Sequence, residues 1–130
     1  MSCLEYKSYR KWFNHDCYVG TFDDRYMARN RVRTWDEVSY TIQAQAKNEP
    51  IHPQAPKMQF ESVNRRVFAK GFESLYRRLS VRECARIQTF PDSFRFVYTD
   101  ILDGYKMVGN AVPPRLAKEI AEWLARIISN

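Results

Sequence analysis

The strongest constraint on the fold of this 130-residue chain lies between residues 75 and 124, where the sequence predicts two helices flanking a glycine-containing turn. The first helix is predicted to begin at Ser80, because Glu83 follows at the spacing of a capping box, and to end at Phe90–Pro91. The second is predicted to begin at Pro113–Pro114, since proline lacks only an amide hydrogen that the first helical turn leaves unpaired.

The turn and the second helix each suggest a contact. Gly109 and Asn110 are expected just before the second helix, where backbone amides and the helix dipole favour an anionic or polar group. Apolar residues recur in that helix every three or four positions: Leu116, Ala117, Ile120, Ala121, Leu124, Ile127 and Ile128. On this pattern alone, the apolar face belongs either to the core of the chain or to an interface with a partner.

Composition narrows the class of protein. A chain of this length forms one domain or a piece of a larger one, and its 45% apolar residues exclude wholesale disorder. No apolar run is long enough to span a membrane or to form a signal peptide, which predicts a cytoplasmic protein without a membrane partner. The net charge is +6, and arginine outnumbers lysine by 14 to 7. Arginine suits phosphate and guanine, so the bias indicates a nucleic-acid partner, with an ordinary solvated basic surface as the open alternative.

Three arginines recur at alternating positions in one segment. In residues 26–35, Arg29, Arg31 and Arg33 would share one face of a strand. Either this is an exposed strand edge protected by charge, or it lies in a DNA groove with its arginines on guanine O6 and N7 or on phosphates.

The remaining segments complete an α+β prediction. Residues 38–46 alternate between apolar and polar positions and predict a strand, residues 50–57 contain three prolines and predict a loop, and residues 58–79 predict short strands. Cys3, His15, Cys17 and His52 could supply zinc ligands, but their spacings match no familiar zinc module, so no metal is expected.

Two motifs carry a family resemblance. Residues 77–91, RRLSVRECARIQTFP, resemble the ninth motif of the DNA cytosine-5 methyltransferases, and residues 109–113, GNAVP, resemble the tenth. The run from residue 14 to residue 58 is similar to the target-recognition region of the branch that methylates GGCC. The resemblance implies a β-rich target-recognition region over residues 1–76. Residues 77–130 would then be helices that complete the Rossmann-like α/β lobe of an S-adenosylmethionine-dependent enzyme.

The resemblance also implies roles for individual residues. Arg29, Arg31 and Lys47 would contact guanine edges, and Arg33 would contact phosphate. The branch tends to have Ser-Gly-Arg where this chain has Gln45-Ala46-Lys47, which leaves the target site open. Two further groups follow from the ninth and tenth motifs: Arg77 and Glu83 would brace the recognition region, and Asn110, Ala111 and Val112 would line one wall of the cofactor pocket.

Much of the catalytic apparatus of that family is missing from the sequence. The family's nucleophilic cysteine follows a proline, and this chain has no Pro-Cys pair and no Gly-x-Gly turn; Cys84 matches a structural position. No catalytic residue is therefore expected, and the chain alone should be inactive. The resemblance implies the small, C-terminal subunit of a split enzyme, which shares double-stranded DNA and the cofactor with a catalytic subunit or N-terminal lobe. A truncated gene or an excised fragment, a stand-alone DNA-binding protein and a structural subunit remain as alternatives.

Overall fold

The computed structural model describes residues 13–129, which form a small α+β fold. Its regular elements are α1 (Asp24–Met27), β1 (Gln59–Ser62), β2 (Arg65–Val67), α2 (Val81–Ile87), α3 (Ile101–Asn110) and α4 (Pro114–Ile128), with 3-10 turns at Ala46–Asn48 and Glu73–Leu75. None of the helices within these residues is long and apolar enough to cross a membrane.

The strand content of the described residues is smaller than the sequence predicts. Strands β1 and β2 form an antiparallel hairpin with an irregularity between Phe60 and Ser62, and Asn64 closes the turn with a φ of 58°. Isolated bridges join Ile51 to Val32 and to Arg78. The predicted short strands after residue 58 are confirmed, but the rest of the β-rich expectation is wrong, because most of residues 13–79 is irregular.

The two alternating segments are not strands. Asp23 caps α1 by accepting a hydrogen bond from the Tyr26 amide, so the start of the first segment is helical instead of extended. In the second segment Val38 is 88% exposed, whereas Ile42 and Ala46 are buried. Residues 38–45 form no regular element, and Ile42 and Ala46 anchor this irregular segment to the core.

Two hydrophobic clusters hold these irregular segments. The first joins α2 and α3 to residues from the segment before them: Ile42, Ala46, Leu79, Val81, Cys84, Ala85, Phe96, Tyr105 and Val108. The second gathers Tyr26, Val32, Ile51, Ala55, Met58, Ala69 and Tyr76. The first cluster includes Ile42 and Ala46. Residues 42–49, called loop 42–49 from here on, are therefore packed directly against α2 and α3.

Helix α2 forms as the sequence predicts. The Ser80 hydroxyl accepts from the Glu83 amide at 3.2 Å, and the Glu83 carboxylate accepts from the Ser80 amide at 2.7 Å, which confirms the capping box. The helix ends at Ile87, before the predicted Phe90–Pro91, because the chain turns at Thr89 with a φ of 65°.

Helix α3 corrects the predicted turn. The stretch from Gly104 to Asn110 is helical, and Asp100 caps it by accepting from the Leu102 amide at 2.8 Å. Tyr105 and Val108 are fully buried against α2, and this burial offsets the helix-weakening effect of the two glycines. The turn between helices is thus short and runs from Ala111 to Pro113.

Helix α4 begins at Pro114, as predicted, but contains no buried residue. Its apolar side chains are 44–82% exposed: Leu116, Ile120, Trp123, Leu124, Ile127 and Ile128. The alternative that this face belongs to the core of the chain is therefore wrong, and the alternative of an interface with a partner stays a prediction.

Candidate functional site

Arg29 and Arg31 line one small cavity. It measures about 180 Å³, and its walls are Arg29, Arg31, Tyr40, Thr41, Gln43, Asn48 and Pro50. Two guanidinium groups meet polar side chains there, and no carboxylate is among these described lining residues. Such a cavity favours a ligand that offers hydrogen-bond acceptors or negative charge.

The geometry of Arg31 suits a forked contact. Its Nε donates to the Tyr26 carbonyl at 3.0 Å, and its guanidinium lies 4.6 Å from the centre of the Tyr26 ring. This bond uses only Nε, so Nη1 and Nη2 can still donate to the pair of acceptors that guanine presents. Burial and the nearby Arg29 charge lower the pKa of Arg31, so a ligand with acceptor atoms would relieve a crowded pair of cations.

Arg33 lines a different and larger cavity of about 460 Å³, which Trp35 and His52 also line. Its guanidinium is 3.6 Å from the Glu37 carboxylate and 4.3 Å from the Tyr40 ring centre. Arg33 therefore lines a different cavity from Arg29 and Arg31, although the Tyr40 ring that it contacts also lines theirs.

Lys47 is exposed on the 3-10 turn and lines neither of those cavities. Its carbonyl accepts from Arg78 Nε at 3.2 Å, while the Nη groups of Arg78 donate to Gly20 O and Thr21 O at 3.0 Å each. The buried Arg78 thus fixes loop 42–49 to the segment that precedes α1.

Glu49 is a buried carboxyl that the sequence analysis did not identify. Its Oε1 accepts from the Gln43 amide at 3.2 Å, its Oε2 accepts from the Cys84 thiol at 3.5 Å, and its carbonyl accepts from the Tyr26 hydroxyl at 2.7 Å. Burial raises the pKa of Glu49 to about 7 and raises that of Cys84 well above its ordinary value. A buried thiol with a raised pKa is a poor nucleophile, so Cys84 is structural here.

Arg77 and Glu83 form a forked ion pair with two bonds of 2.8 Å. His52 Nε2 lies 3.5 Å from the same carboxylate, and the His52 amide donates to the Arg77 carbonyl at 2.9 Å. Burial alone would raise the pKa of Glu83, but Arg77 and the Ser80 amide lower it to about 2. The pair therefore ties the start of α2 to the proline-containing loop over residues 50–57.

The turn after α3 presents an amide beside an apolar side chain. Asn110 is the last residue of α3 and is exposed, and Val112 is 63% exposed. The prolines at the start of α4 have no amide hydrogen, and the Arg115 amide already donates to Thr89 Oγ1 at 3.0 Å. The start of α4 thus offers fewer amide hydrogens than an ordinary helix terminus, and the expected anion site there stays a prediction.

No group of three His, Cys, Asp or Glu side chains is placed to hold a metal ion within residues 13–129. Of the residues considered as zinc ligands, Cys3 lies outside the described part of the chain.

Comparison with known proteins gives one family and several relatives. The family described as C-5 cytosine-specific DNA methylase matches residues 3–126. The chain is 58% identical over 113 residues to type II methyltransferase M.MthTI of Methanothermobacter thermautotrophicus. This match covers 87% of this chain and 34% of the relative. It is 53% identical over 115 residues to type II methyltransferase M.NgoPII of Neisseria gonorrhoeae, covering 88% and 34%. The match to DNA (cytosine-5)-methyltransferase 1 of Mus musculus is 64% identical over 45 residues, 35% of this chain and 3% of the relative. The chain thus spans about a third of the length of the type II relatives.

Proposed function

Because the chain belongs to the C-5 cytosine-specific DNA methylase family, we propose that it supplies DNA recognition and one wall of the cofactor pocket to a methyltransferase of a restriction-modification system. The observation that carries this proposal is the cavity shared by Arg29 and Arg31. The guanidinium groups of these two residues can donate hydrogen bonds to the acceptor atoms of guanine in the major groove. None of the described residues that line the cavity is an acid that would neutralise them.

The proposed target is a double-stranded GGCC site. Arg31 keeps its two Nη groups for one guanine, and the exposed Arg29 at the same cavity is available for a neighbouring guanine. Lys47 adds a third basic group on loop 42–49, and Arg33 is assigned a phosphate contact. A forked arginine–guanine contact contributes about 1–3 kcal/mol of discrimination, whereas a phosphate contact contributes affinity without discrimination.

The nucleophilic cysteine is assigned to a partner chain or lobe. This chain has no Pro-Cys pair, and Cys84 is fully buried. The exposed apolar face of α4 supports such a partner, since covering each large side chain contributes about 1.5–3 kcal/mol. On this proposal, residues 77–130 complete the α/β lobe of the partner, and residues 1–76 form the recognition region.

S-adenosylmethionine is the cofactor of the proposed reaction and supplies the methyl group when bound. The turn fits one wall of its pocket, because Asn110 offers an exposed amide and Val112 an exposed apolar surface. Ala111 lies between them with its amide already bonded to Val108 O at 3.2 Å, so it contributes backbone shape. The rest of the pocket is assigned to the partner.

Arg77 and Glu83 are proposed to brace the recognition region against that lobe. Their forked pair, with His52 on the other side of the carboxylate, joins the two parts of the chain at the start of α2. The brace acts through position, and neither residue is assigned a contact with DNA.

Reconstitution tests the proposal. The chain is co-expressed with the part of M.MthTI that it does not match, and transfer of labelled methyl groups from S-adenosylmethionine is measured on GGCC and scrambled duplexes. We expect methylation of the GGCC duplex by the complex and none by either part alone. Methylation by the chain alone, or equal methylation of both duplexes, would overturn the proposal.

A conservative substitution tests the base-reading role within the same complex. Arg31→Lys keeps the charge but removes the fork, so it should lower affinity for the GGCC duplex more than for the scrambled one. Arg25→Lys is the matched control, because Arg25 is exposed on α1 and does not line the cavity. An equal loss on both duplexes would assign Arg31 to phosphate.

The alternative of a stand-alone DNA-binding protein predicts a different outcome. Such a protein would bind the GGCC duplex equally well with and without the catalytic lobe. It would also give no reason for the exposed apolar face of α4, which favours the proposal made here.

A further inference from the structure

Helix α3 lies directly beneath loop 42–49. At Gly109 an added Cβ would lie 2.4 Å from the Ala44 nitrogen, so the two backbones approach as closely as glycine allows. Ala46 is buried in the same cluster as Tyr105 and Val108. The loop and the helix therefore share one packed core, and side chains at their common edge have fixed starting points.

Lys106 is at that edge. A depression of about 300 Å³ is lined by Ala44, Gln45, Ala46, Lys47, Leu102 and Lys106. Two lysines from two different elements, Lys47 and Lys106, are among its lining residues, and none of these described lining residues is acidic. Two lysines that line one depression whose described lining has no acid favour an anion there.

The present partner of Lys106 does not prevent this. Its Nζ lies 3.1 Å from Asp103 Oδ1, three residues earlier on α3, and both side chains are at least half exposed. An exposed ion pair of this kind contributes little to stability, so Lys106 can turn to a phosphate at little cost.

We propose that Lys106, together with Lys47, binds a DNA backbone phosphate beside the bases read by Arg29 and Arg31. The inference rests on the proposed function. Lysine presents a point charge and no fork, which suits phosphate better than a base edge, so Lys47 is given a phosphate in place of the guanine edge that the family resemblance implies. The DNA interface then extends from the recognition region onto α3, the helix that ends at Asn110 in the cofactor turn.

A phosphate is favoured over the carboxylate of the cofactor by the lining of the depression. Loop 42–49 provides four of its six residues, and none of Asn110, Ala111 and Val112 lines it. The anion is therefore held on the side of α3 that faces the recognition loop.

The salt dependence of DNA binding tests this contact. Affinities of the reconstituted complex for GGCC and scrambled duplexes are measured by fluorescence anisotropy over a series of NaCl concentrations. Lys106→Gln should reduce the slope of log affinity against log salt by about 0.9, the value for one lost phosphate contact. It should weaken both duplexes by the same factor and leave S-adenosylmethionine binding unchanged.

Lys118→Gln is the matched control. Lys118 is also an exposed helical lysine paired with an acid, since its Nζ lies 3.6 Å from Glu122 Oε1, but it is on α4 and does not line the depression. The control removes the same charge from the complex, so its slope should equal that of the wild type.

The other outcomes each overturn the inference in a recognisable way. An unchanged slope, or one that falls equally in Lys118→Gln, means that Lys106 makes no specific phosphate contact. A loss confined to the GGCC duplex makes Lys106 a base contact, and weaker cofactor binding with unchanged DNA affinity makes the anion the cofactor carboxylate. If the wild-type complex binds neither duplex, the proposed function itself fails, and the inference fails with it.

Discussion

Replacing Glu49 with glutamine should change how the stability of the chain depends on pH. Glu49 is fully buried, and the groups that donate to its two carboxyl oxygens are uncharged: the Gln43 amide and the Cys84 thiol. Burial therefore raises the pKa of Glu49 from 4.5 to about 7, although both hydrogen bonds lower it slightly. The folded chain holds a neutral carboxyl at pH values where the unfolded chain holds a carboxylate.

The sign and size of the effect follow from this difference. Between pH 4.5 and about 7 the unfolded state releases a proton that the folded state keeps, so the free energy of unfolding falls as the pH rises. At about 1.36 kcal/mol for each pKa unit, the loss is on the order of 3 kcal/mol. The contribution is complete below pH 4.5 and is lost above about pH 7. Glutamine does not ionise, so Glu49→Gln should lack this loss and be the more stable protein at about pH 8.

Urea unfolding followed by circular dichroism, repeated across this pH range, measures the effect. The difference between wild type and variant is the quantity to compare, because burial lowers the pKa of His15 and His52. Their contribution has the opposite sign, since it is complete above their ordinary pKa of 6.5 and is lost as the pH falls from there through their lowered folded pKa values. Glu119→Gln, an exposed change on α4, is the control. Parallel pH profiles for wild type and Glu49→Gln would refute the reasoning.

Three further substitutions test the packing, the interface and the cofactor turn. Gly109→Ala should lower the free energy of unfolding in urea by about 1–3 kcal/mol, because its Cβ would overlap the backbone of loop 42–49; stabilisation, the usual result of this change within a helix, would contradict the packing. Ile120→Ser combined with Leu124→Ser should abolish co-purification with the catalytic lobe, whereas Glu122→Ser on the polar face should not. Asn110→Ala should weaken S-adenosylmethionine binding in calorimetric titrations and leave duplex affinity unchanged; equal cofactor affinity would remove Asn110 from the pocket.

Local chemistry made two of the helices predictable. The start of α2 is encoded by Ser80 and Glu83, which bond to each other's backbone amides within four residues. The start of α4 is encoded by Pro113–Pro114, whose missing amide hydrogens matter least at a helix terminus. These signals depend on residues close together in the sequence and on no tertiary contact, so the sequence alone reveals them.

Helix α3 was missed because its glycines serve tertiary contacts. An added Cβ at Gly104 would lie 2.7 Å from the Tyr98 ring, and one at Gly109 would overlap the backbone of loop 42–49. Glycine weakens a helix by about 1 kcal/mol, so two of them favour a turn in the sequence. The apolar residues Tyr105 and Val108, at the spacing of one helical turn, were the sequence signal that could have found the helix.

The candidate site also contains some residues that the sequence reveals and others that only the tertiary structure reveals. Arg29 and Arg31 could be selected because basic residues at alternating positions are visible in the sequence, and the structure brings both to one cavity. Lys106 could not be selected with Lys47, because they are far apart in sequence and only the packing of α3 under loop 42–49 brings them to one depression. Glu49 was missed because an acidic residue before a proline looks like a surface residue until its burial is known.

The arginine excess of the sequence has two physical uses, and only one of them favours DNA. Arg82 is fully buried and donates to the carbonyl groups of Phe13, Pro91 and Phe94 at 2.9, 3.3 and 2.6 Å, and Arg78 donates to three other carbonyls. These guanidinium groups satisfy backbone acceptors that a sheet would otherwise pair, which is how an irregular region with a single hairpin in its described part stays packed. Burial lowers the pKa of both, so each is held by its hydrogen bonds at a cost in desolvation. The guanidinium groups of Arg78 and Arg82 are buried in the core and cannot contact DNA. An argument for DNA binding that rests on net charge alone therefore includes arginines that take no part in it.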